Sequence, residues 1–371
     1  MKKDFRPFAA FVILAFAILA CSSSFDVVET PPPTSESLIS HSFYYLADGQ
    51  VFRMERDGKT VTQLTSESAG VDDYDVSLTD GSIAYVTGNQ LVLVNADGSN
   101  RRVLVDGGRD PVFSPDGKTL AYSRNGLNLY DFSTGLSNLV LPDHPLDGPP
   151  PPLSFVPDIF SPDGTKLLVK VGHPPDSPWT GAIYSPATNV LMQFGSDDQS
   201  LSCCTQYGGA NWSADSSRFY AVASTPDSSF PSGVLWDVNA NAAAVKTLIP
   251  GGAGEGETQL FYLTYEPFLA PDGQLYFFSA KYPESAGFSP RVPLLLIRSK
   301  PDDITTNWTV LRGDTFELMN EALWAPDASF VLVAFAPNQD VYDGGRAEIV
   351  YLDGRPNVVL ANYAQNMKWG P

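Results

Sequence analysis

The stretch that decides the fold is Phe160-Ser161-Pro162-Asp163-Gly164, followed by the apolar run Leu167-Leu168-Val169. The same pattern returns, complete or degenerate, at residues 113–117, 212–216, 269–273 and 324–328. Each copy begins with an apolar, usually aromatic, residue and continues into a tight turn. Proline presets φ at the second position of such a turn, aspartate tolerates the third, and glycine accepts the positive φ that often follows. An alternating apolar run after the turn is typical of a strand, so the sequence predicts a repetitive all-β fold.

The repeated element resembles the TolB-type β-propeller repeat, a WD40-like pattern of an aromatic residue, Ser-Pro-Asp-Gly, one strand and a second strand that ends near Asp-Gly. A sixth copy at residues 77–81 has lost its proline. The resemblance extends from about residue 42 to the end of the chain, and it implies a propeller fold. It implies no particular function, because many unrelated periplasmic and surface proteins carry this repeat.

The two ends of the predicted propeller complement each other. The first repeat, which starts at Phe43, lacks the aromatic residue and the Ser-Pro-Asp-Gly element, whereas the chain ends in Asn366-Met367-Lys368-Trp369-Gly370-Pro371, which is that element cut short. We therefore predict that the C-terminal strand is the innermost strand of the first blade, which closes the ring and removes open sheet edges. Repeats that start near residues 42, 74, 110, 157, 209, 265 and 320 predict seven blades, with six or eight as alternatives.

The N-terminal residues resemble a bacterial lipoprotein signal peptide. Lys2, Lys3 and Arg6 precede an apolar run at residues 8–20, which is shorter than the roughly 20 residues of a bilayer span. The run ends in Ile18-Leu19-Ala20-Cys21, which is similar to a lipobox and implies a diacylglyceryl group on the thiol of Cys21. An ordinary secretory signal with a chance cysteine is the alternative.

This resemblance divides the chain into a signal peptide at residues 1–20, a lipidated Ser/Pro-rich tether at residues 21–41 and a β-propeller at residues 42–371. The serines and prolines of the tether cannot pack a core. Ser22, in the second mature position, is not one of the acidic residues that often retain lipoproteins at the inner membrane. We therefore expect a membrane-anchored lipoprotein on the periplasmic face of the outer membrane or at the cell surface.

The composition excludes several classes of function. The 371 residues include 42 Asp and Glu but only 23 Lys and Arg, a net charge of −19, which excludes nucleic-acid binding through a basic surface. Three cysteines are too few for a disulfide scaffold or a four-cysteine zinc site, and three histidines are too few for a large histidine cluster. The sequence also lacks a Gly-x-Ser-x-Gly nucleophile elbow.

The long connections of the predicted propeller fall on one face, which we call the long-loop face. They join one blade to the next, or the two middle strands of a blade, in the third to seventh blades. Long loops on a rigid scaffold are where binding is usually found, although decoration without a ligand is the alternative. The side chains in or next to these loops that we predict to bind a ligand are His144, His173, Trp179 and Tyr207.

The same face carries the start of each innermost strand, where acidic residues recur. Counting back from the aromatic position of the repeats places Asp110, Glu266 and Glu321 at equivalent sites, with Asp158 one residue away in its own repeat. Together they would form an electronegative funnel able to hold a basic group or Ca²⁺, the only cofactor that the sequence leaves open. The alternative is that each carboxylate accepts hydrogen bonds from amides of neighbouring loops.

Cys203 and Cys204 are adjacent in one of the long loops. In an oxidising compartment they would form a vicinal disulfide, a small strained ring that stiffens the loop next to Tyr207 and Trp179. Two buried free thiols are the alternative. Redox catalysis is not expected, because no Cys-x-x-Cys is present.

Two functions from different classes fit these features. The first is a non-enzymatic envelope lipoprotein that binds a protein, peptide or glycan partner of the envelope through the long-loop face. The second is a hydrolase or lyase that acts on a polysaccharide or ester at the channel mouth, with loop carboxylates and histidines as acid and base. We favour the first, because the sequence contains no complete catalytic set.

Overall fold

The computed structural model describes residues 37–144, 153–172, 179–195, 206–224, 233–253, 260–283, 291–304 and 308–371. The regular elements in these ranges are all β-strands, so the all-β prediction is confirmed. None of the described residues belongs to a helix that is long and apolar enough to cross a membrane.

The strands alternate with short turns wherever the repeat pattern is regular. In chain order they are β1 (Phe43–Ala47), β2 (Gln50–Met54), β3 (Val61–Gln63), β4 (Asp73–Val76), β5 (Ile83–Thr87), β6 (Gln90–Val94), β7 (Arg102–Asp106), β8 (Arg109–Phe113), β9 (Thr119–Ser123), β10 (Gly126–Asp131), β11 (Leu136–Pro142), β12 (Ser154–Phe160), β13 (Leu167–Gly172), β14 (Thr180–Ser185), β15 (Val190–Gln193), β16 (Gln206–Trp212), β17 (Arg218–Ser224), β18 (Gly233–Asn239), β19 (Ala244–Ile249), β20 (Gly252–Ala253), β21 (Leu260–Leu269), β22 (Leu275–Pro283), β23 (Leu295–Ser299), β24 (Thr309–Val310), β25 (Met319–Trp324), β26 (Phe330–Phe335), β27 (Gly345–Tyr351) and β28 (Val358–Trp369).

Strands that follow one another in the sequence pair antiparallel, mostly in units of four. Four of the described sheets consist of β4–β7, β8–β11, β12–β15 and β16–β19. A fifth sheet contains β21–β24, with the two-residue strand β20 added beside β21. This succession of antiparallel four-stranded units is the architecture of a β-propeller, and the fold prediction is confirmed.

The remaining sheet has seven strands because the long strand β28 belongs to two units. Its first part pairs with β27, from Ile349 opposite Val358 to Gly345 opposite Ala364. Its last part pairs with β1, where Phe43 lies opposite Trp369. The C-terminal strand therefore closes the sheet array onto the first unit, as the truncated motif predicted. The blade number of seven stays a prediction.

The hydrophobic core lies between neighbouring units. The cluster around Trp212 combines side chains of β13 and β14 with those of β17 and β18. Trp324 packs in a similar way: its ring is stacked on that of Phe268 at 5.6 Å, and its indole N–H donates to the carbonyl of Glu266 at 2.8 Å. The aromatic residue of the repeat thus fastens one unit to the next.

The turn after the aromatic residue is held by its aspartate. Hydrogen bonds from the Ser213 hydroxyl (2.7 Å) and the Ser217 amide (3.0 Å) lower the pKa of Asp215 to about 2. Gly164 has a φ of 71° at the glycine position of its turn, and Ser216 adopts 59° at the equivalent place. The degenerate copies therefore keep the turn although they have lost the glycine.

The chain is already packed before the first strand. The backbone amides of Leu38 and Ile39 donate to the carbonyl of Arg56 at 2.8 and 3.1 Å. Ile39 is 1% exposed and lies among core side chains of β1, β26 and β28. The packed region thus includes residues just before residue 42, which the sequence pattern assigns to the tether.

Candidate functional site

The innermost strands share an irregularity at the positions where acidic residues were predicted. In β8, β21 and β28 the pairing register shifts, and Asp110, Glu266 and Asn366 adopt left-handed φ angles of 52°, 49° and 50°. Such a backbone costs a residue with a Cβ atom roughly 1 kcal/mol or more. A bulge of this kind interrupts the alternation of side chains along the strand and re-aims them. Because of this repeated bulge, these three side chains do not follow the regular alternation of their strands.

Two of the predicted acids are held by neighbouring protein groups. The carboxylate of Asp110 accepts a hydrogen bond from the Ser123 hydroxyl on β9. That of Glu321 accepts one from the backbone amide of Met367. Because Met367 lies in β28, Glu321 ties the closing strand to β25. Both contacts agree with the alternative that these carboxylates accept hydrogen bonds from nearby groups.

Asp158, Tyr207 and Trp179 lie together. The Tyr207 hydroxyl donates to Asp158 at 2.6 Å, and the ammonium of Lys170 lies 3.0 Å from the other carboxylate oxygen. The Tyr207 amide donates to the carbonyl of Trp179 at 2.7 Å. Burial and the charge of Asp158 raise the pKa of Tyr207 well above its ordinary value. Tyr207 is therefore a hydrogen-bond donor here and not a base.

Lys368 on β28 is the cation of a central acidic cluster. Its ammonium lies 3.0 Å from the carboxylate of Asp75. Burial favours the neutral amine, but the charges of Asp75, Asp73 and Glu321 prevail and raise the pKa of Lys368. Asn366 donates to Asp73 at 2.8 Å, while burial raises the pKa of that carboxyl. The C-terminal strand thus carries a positive charge into a group of acids from other strands.

Glu266 differs from the other acids. Within the described residues, no hydrogen-bond donor contacts its carboxyl. Glu266 keeps part of its surface in contact with solvent, but many protein atoms lie around its carboxyl. The resulting loss of hydration, together with the charge of Glu321, raises the pKa of Glu266 to about 7. Its carboxyl is therefore divided between its two protonation states at neutral pH.

A cavity opens beside Glu266, between β21 and the segment that leads into β25. We call it the β21–β25 cavity, and its polar lining consists of Tyr265, Glu266, Arg291, Glu317, Asn320 and Tyr342. The guanidinium of Arg291 donates to the side-chain oxygen of Asn320 at 2.8 Å and lies 4.8 Å from the centre of the Tyr342 ring. One part of the cavity is thus filled by a cation of the protein itself.

Three exposed tyrosines accompany this cavity and the neighbouring part of β28. Tyr265, Tyr342 and Tyr363 are 41%, 55% and 39% exposed. Burial raises the pKa of the Tyr363 hydroxyl, and the negative charges of Asp343 and Glu321 raise it further. Exposed aromatic rings beside carboxylates are suited to contact a ligand that has both apolar and polar parts.

The structure brings some of the predicted residues together and separates others. Glu266 and Glu321 are close enough for their charges to interact, and Asp158 lies with Tyr207 and Trp179. His144 lies apart from Glu266, with its ring 6.4 Å from that of Phe155 and its amide bonded to Leu153. The predictions for His173, Cys203, Cys204 and Cys21 fall outside the described residues.

No group of three or more His, Cys, Asp or Glu side chains in the described ranges is arranged to hold a metal ion. Glu266 and Glu321 are two carboxylates only, and one of them already accepts a hydrogen bond from Met367. Because Ca²⁺ prefers six to eight oxygen ligands, the predicted Ca²⁺ site would need most of them from elsewhere. It stays a prediction.

Sequence reasoning did not single out Arg291, Tyr342, Tyr265, Glu317 or Lys368. Arg291 and Tyr342 lie in segments that the repeat pattern identifies as long loops, at residues 281–292 and 337–346. Tyr265 directly precedes Glu266, and only the bulge gives both side chains access to one cavity. The available signal was therefore the loop length and not the residue types.

A comparison with known protein families found no match, and neither did a comparison with curated proteins. Among solved structures, one of two prolyl endopeptidases matches 90% of this chain with a TM-score of 0.56 at 14% identity. This chain covers 51% of that one, so it spans about half of its length. An oligogalacturonate lyase from Vibrio parahaemolyticus matches 86% of this chain, and 84% of its own, with a TM-score of 0.53 at 13% identity.

TolB from Acinetobacter baumannii matches 89% of this chain and 81% of its own length, at 16% identity and a TM-score of 0.43. Similarities at these identities concern the fold alone, and the last score is too low to carry an argument. The sequence repeats and the order of the strands in the sheets are stronger evidence for the fold. Ser-Pro-Asp-Gly turns between antiparallel strands, in four-stranded units that the C-terminal strand closes, identify this chain as a β-propeller.

Proposed function

We propose that this protein is a non-enzymatic propeller scaffold that binds a protein, peptide or glycan partner at the face where the β21–β25 cavity opens. The observation that carries the proposal is the combination of exposed tyrosines with a carboxyl that no donor among the described residues contacts. Tyr265 and Tyr342 are each more than a third exposed, and both line the same cavity as Glu266. A surface of this composition is typical of recognition sites.

The contacts of the other acids support binding more than catalysis. Asp158 is occupied by Tyr207 and Lys170, and Glu321 by Met367. Catalytic acids and bases need a free carboxyl or imidazole within reach of the substrate, whereas these groups join strands to one another. Their contacts therefore stabilise the fold.

A site-specific cross-linking experiment tests the proposal. A benzophenone side chain is placed at position 342, beside the cavity, or at position 78, an exposed leucine in the turn before β5 at the opposite end of the strands. We expect illumination of the full chain with envelope extract of its source organism to give one defined adduct from position 342 and none from position 78. The same adducts from both positions, or none from either, would contradict the proposed binding face.

A second candidate function is favoured by one observation, the pKa of about 7 at Glu266. A carboxyl that titrates near neutral pH fits a general acid or base, and the protein would then be a hydrolase or lyase. The discriminating measurement is turnover on a panel of glycans and esters by the full chain and by Glu266→Gln. Turnover that the substitution abolishes would replace the first proposal, whereas no turnover leaves binding as the function.

The proposal includes anchoring of the protein to a membrane of the cell envelope through a lipid on Cys21. It rests on the lipobox-like Ile18-Leu19-Ala20-Cys21 and on the polar residues that follow. Labelling of cells with radioactive palmitate should mark the wild-type protein and leave Cys21→Ala unlabelled. Equal labelling of both would contradict lipidation at this residue.

A further inference from the structure

We propose that the β21–β25 cavity binds an organic cation, a protonated amine or a guanidinium group, which pairs with the Glu266 carboxylate and lies against the Tyr265 ring. This inference deepens the proposed function and rests on it, because it names the chemical group that the partner presents. The argument uses the geometry of the bulge, the cation already present in the cavity, the charges around Glu266 and the size of the space.

The bulge in β21 is what brings ring and carboxyl together. Neighbouring side chains of a regular strand point to opposite faces, so Tyr265 and Glu266 would normally be separated. The register shift after Tyr265 and the φ of 49° at Glu266 interrupt this alternation, and both side chains line the cavity.

Arg291 shows how this cavity accommodates a cation. Its guanidinium lies 4.8 Å from the centre of the Tyr342 ring and donates to Asn320 and to the carbonyl oxygens of Met319 and Val341. An aromatic face plus several oxygen acceptors is the environment that binds organic cations. Tyr265, Glu266 and Glu317, which line the same cavity, offer a second combination of a ring and oxygen acceptors.

The charges around Glu266 favour a cation as the missing partner. Glu321, the charged group that acts on the Glu266 carboxyl, is itself an acid and repels it. The groups that face Glu266 from its surroundings are Glu321 on β25, Glu317 before β25, Arg291 before β23 and Tyr265 on its own strand. Arg291 lies over the Tyr342 ring, and its charge also reaches the Tyr265 hydroxyl, but it is not among the charges that act on the Glu266 carboxyl. A bound cation would remove the repulsion between the two carboxylates.

The volume of the cavity and the acidic side chains in its lining limit the ligand further. The cavity has a volume of about 160 Å³, which is room for roughly five waters at about 30 Å³ each. That space fits one basic side chain or a short polyamine, but not a folded domain. An anionic ligand such as a nucleotide or a uronic acid would meet Glu266 and Glu317, and the net charge of −19 would repel it before contact.

Isothermal titration of the full chain in detergent, at about 0.1 M salt, tests the inference. The probes are a trilysine peptide and spermidine, with trialanine amide as the weakly charged reference. We expect saturable binding of at least one cationic probe with a Kd of about 1 mM or below at pH 8. Glu266→Gln should weaken it by about ten-fold or more, since a charge-assisted contact is lost. Tighter binding of trilysine points to a basic peptide as the source, and tighter binding of spermidine to a free polyamine.

Matched variants distinguish binding in this cavity from nonspecific attraction to the negative charge of the protein. Asp72→Asn removes one negative charge from an exposed residue in a different depression, lined by β1, β28 and residues 71–72, and should leave the Kd within about two-fold. Tyr265→Leu should weaken binding about five-fold, whereas Tyr265→Phe, which keeps the ring face, should not. Absence of binding to both probes, or equal losses in Glu266→Gln and Asp72→Asn, overturns the inference.

The two proposals can fail separately. A defined adduct at position 342 without any binding of trilysine or spermidine overturns the cation inference and leaves the scaffold function standing. Binding of a cationic probe that depends on Glu266, without any adduct from envelope extract, supports the cation site and overturns the proposed macromolecular partner.

Discussion

Removal of residues 366–371 tests whether the C-terminal strand holds the ring closed. The deletion removes the ladder in which Phe43 lies opposite Trp369. Five further hydrogen bonds disappear with it: Asn366 to Asp73, the Tyr74 hydroxyl to the Asn366 carbonyl, the Met367 amide to Glu321, the Trp369 indole to the Trp324 carbonyl, and the Gly370 amide to the Ser42 carbonyl. The ion pair between Lys368 and Asp75 is lost as well. The inner edge of β1 is then left unpaired.

The size of the effect follows from these contacts. Each hydrogen bond contributes about 1 kcal/mol to the free energy of unfolding. The Met367 side chain is 5% exposed, and its burial contributes about 2 kcal/mol more. With about 1 kcal/mol for the Lys368–Asp75 pair, the loss is about 8 kcal/mol, a large share of the roughly 5–15 kcal/mol that stabilises a protein domain. We expect the Tm to fall by more than about 10 °C.

Thermal unfolding followed by circular dichroism measures this loss. The control is a variant that lacks only Pro371, an exposed residue, and it should melt within about 2 °C of the full chain. The deletion must also expose its β1 edge, so we expect it to associate at high concentration. If the deletion and the control melt at the same temperature, closure by β28 contributes little and the reasoning is refuted.

Four further predictions concern single side chains, and urea denaturation checks each of them. Because the pKa of Glu266 is raised on folding, its share of the stability is greatest at low pH and is lost as the pH rises through about 7, so Glu266→Gln should flatten the pH dependence between pH 5.5 and 8. Glu266→Gly should be about 1 kcal/mol more stable than Glu266→Ala, since glycine adopts a φ of 49° freely, and equal stabilities would contradict strain at this bulge. Tyr207→Phe removes the donor to Asp158 and should lower the free energy of unfolding by about 1–2 kcal/mol. Lys368→Met leaves Asp75 without its cation and should cost about 1–2 kcal/mol, which Lys368→Arg should largely restore.

The turns and the closure were predictable because their physics is local. A Pro-Asp-Gly run restricts φ over three consecutive residues, and Asp215 with Ser213 shows that even a degenerate copy makes the same hydrogen bonds. The closing strand was predictable because a motif that the first repeat lacks stands at the other end of the chain. Neither inference needed knowledge of distant side chains.

The contacts of the acids were not predictable in the same way. Counting back from the aromatic residue placed Asp110 and Glu266 at equivalent strand positions, and both adopt the left-handed conformation there. What each carboxyl meets depends on side chains that other strands bring in. Ser123 reaches Asp110, whereas no described donor reaches Glu266. The difference is decided by tertiary packing, which one sequence does not reveal.

The cavity was the least predictable part. Arg291 and Tyr342 come from separate segments that show no strand periodicity, and they meet only because β22–β23 and β26–β27 bring those segments together. Loop length pointed to the two segments from which these side chains come. It could not identify the guanidinium or the ring, because a loop has no repeat against which residues can be aligned.

The shared strand β28 also determines the order in which this protein can fold during synthesis. Phe43 is among the first residues of the propeller to leave the ribosome, yet its partner Trp369 is almost the last. Until then β1 lacks its inner neighbour, so the first unit stays incomplete while the later ones assemble. Contacts of such long sequence separation form slowly. The propeller of a nascent chain therefore remains unclosed until its last strand has been synthesised.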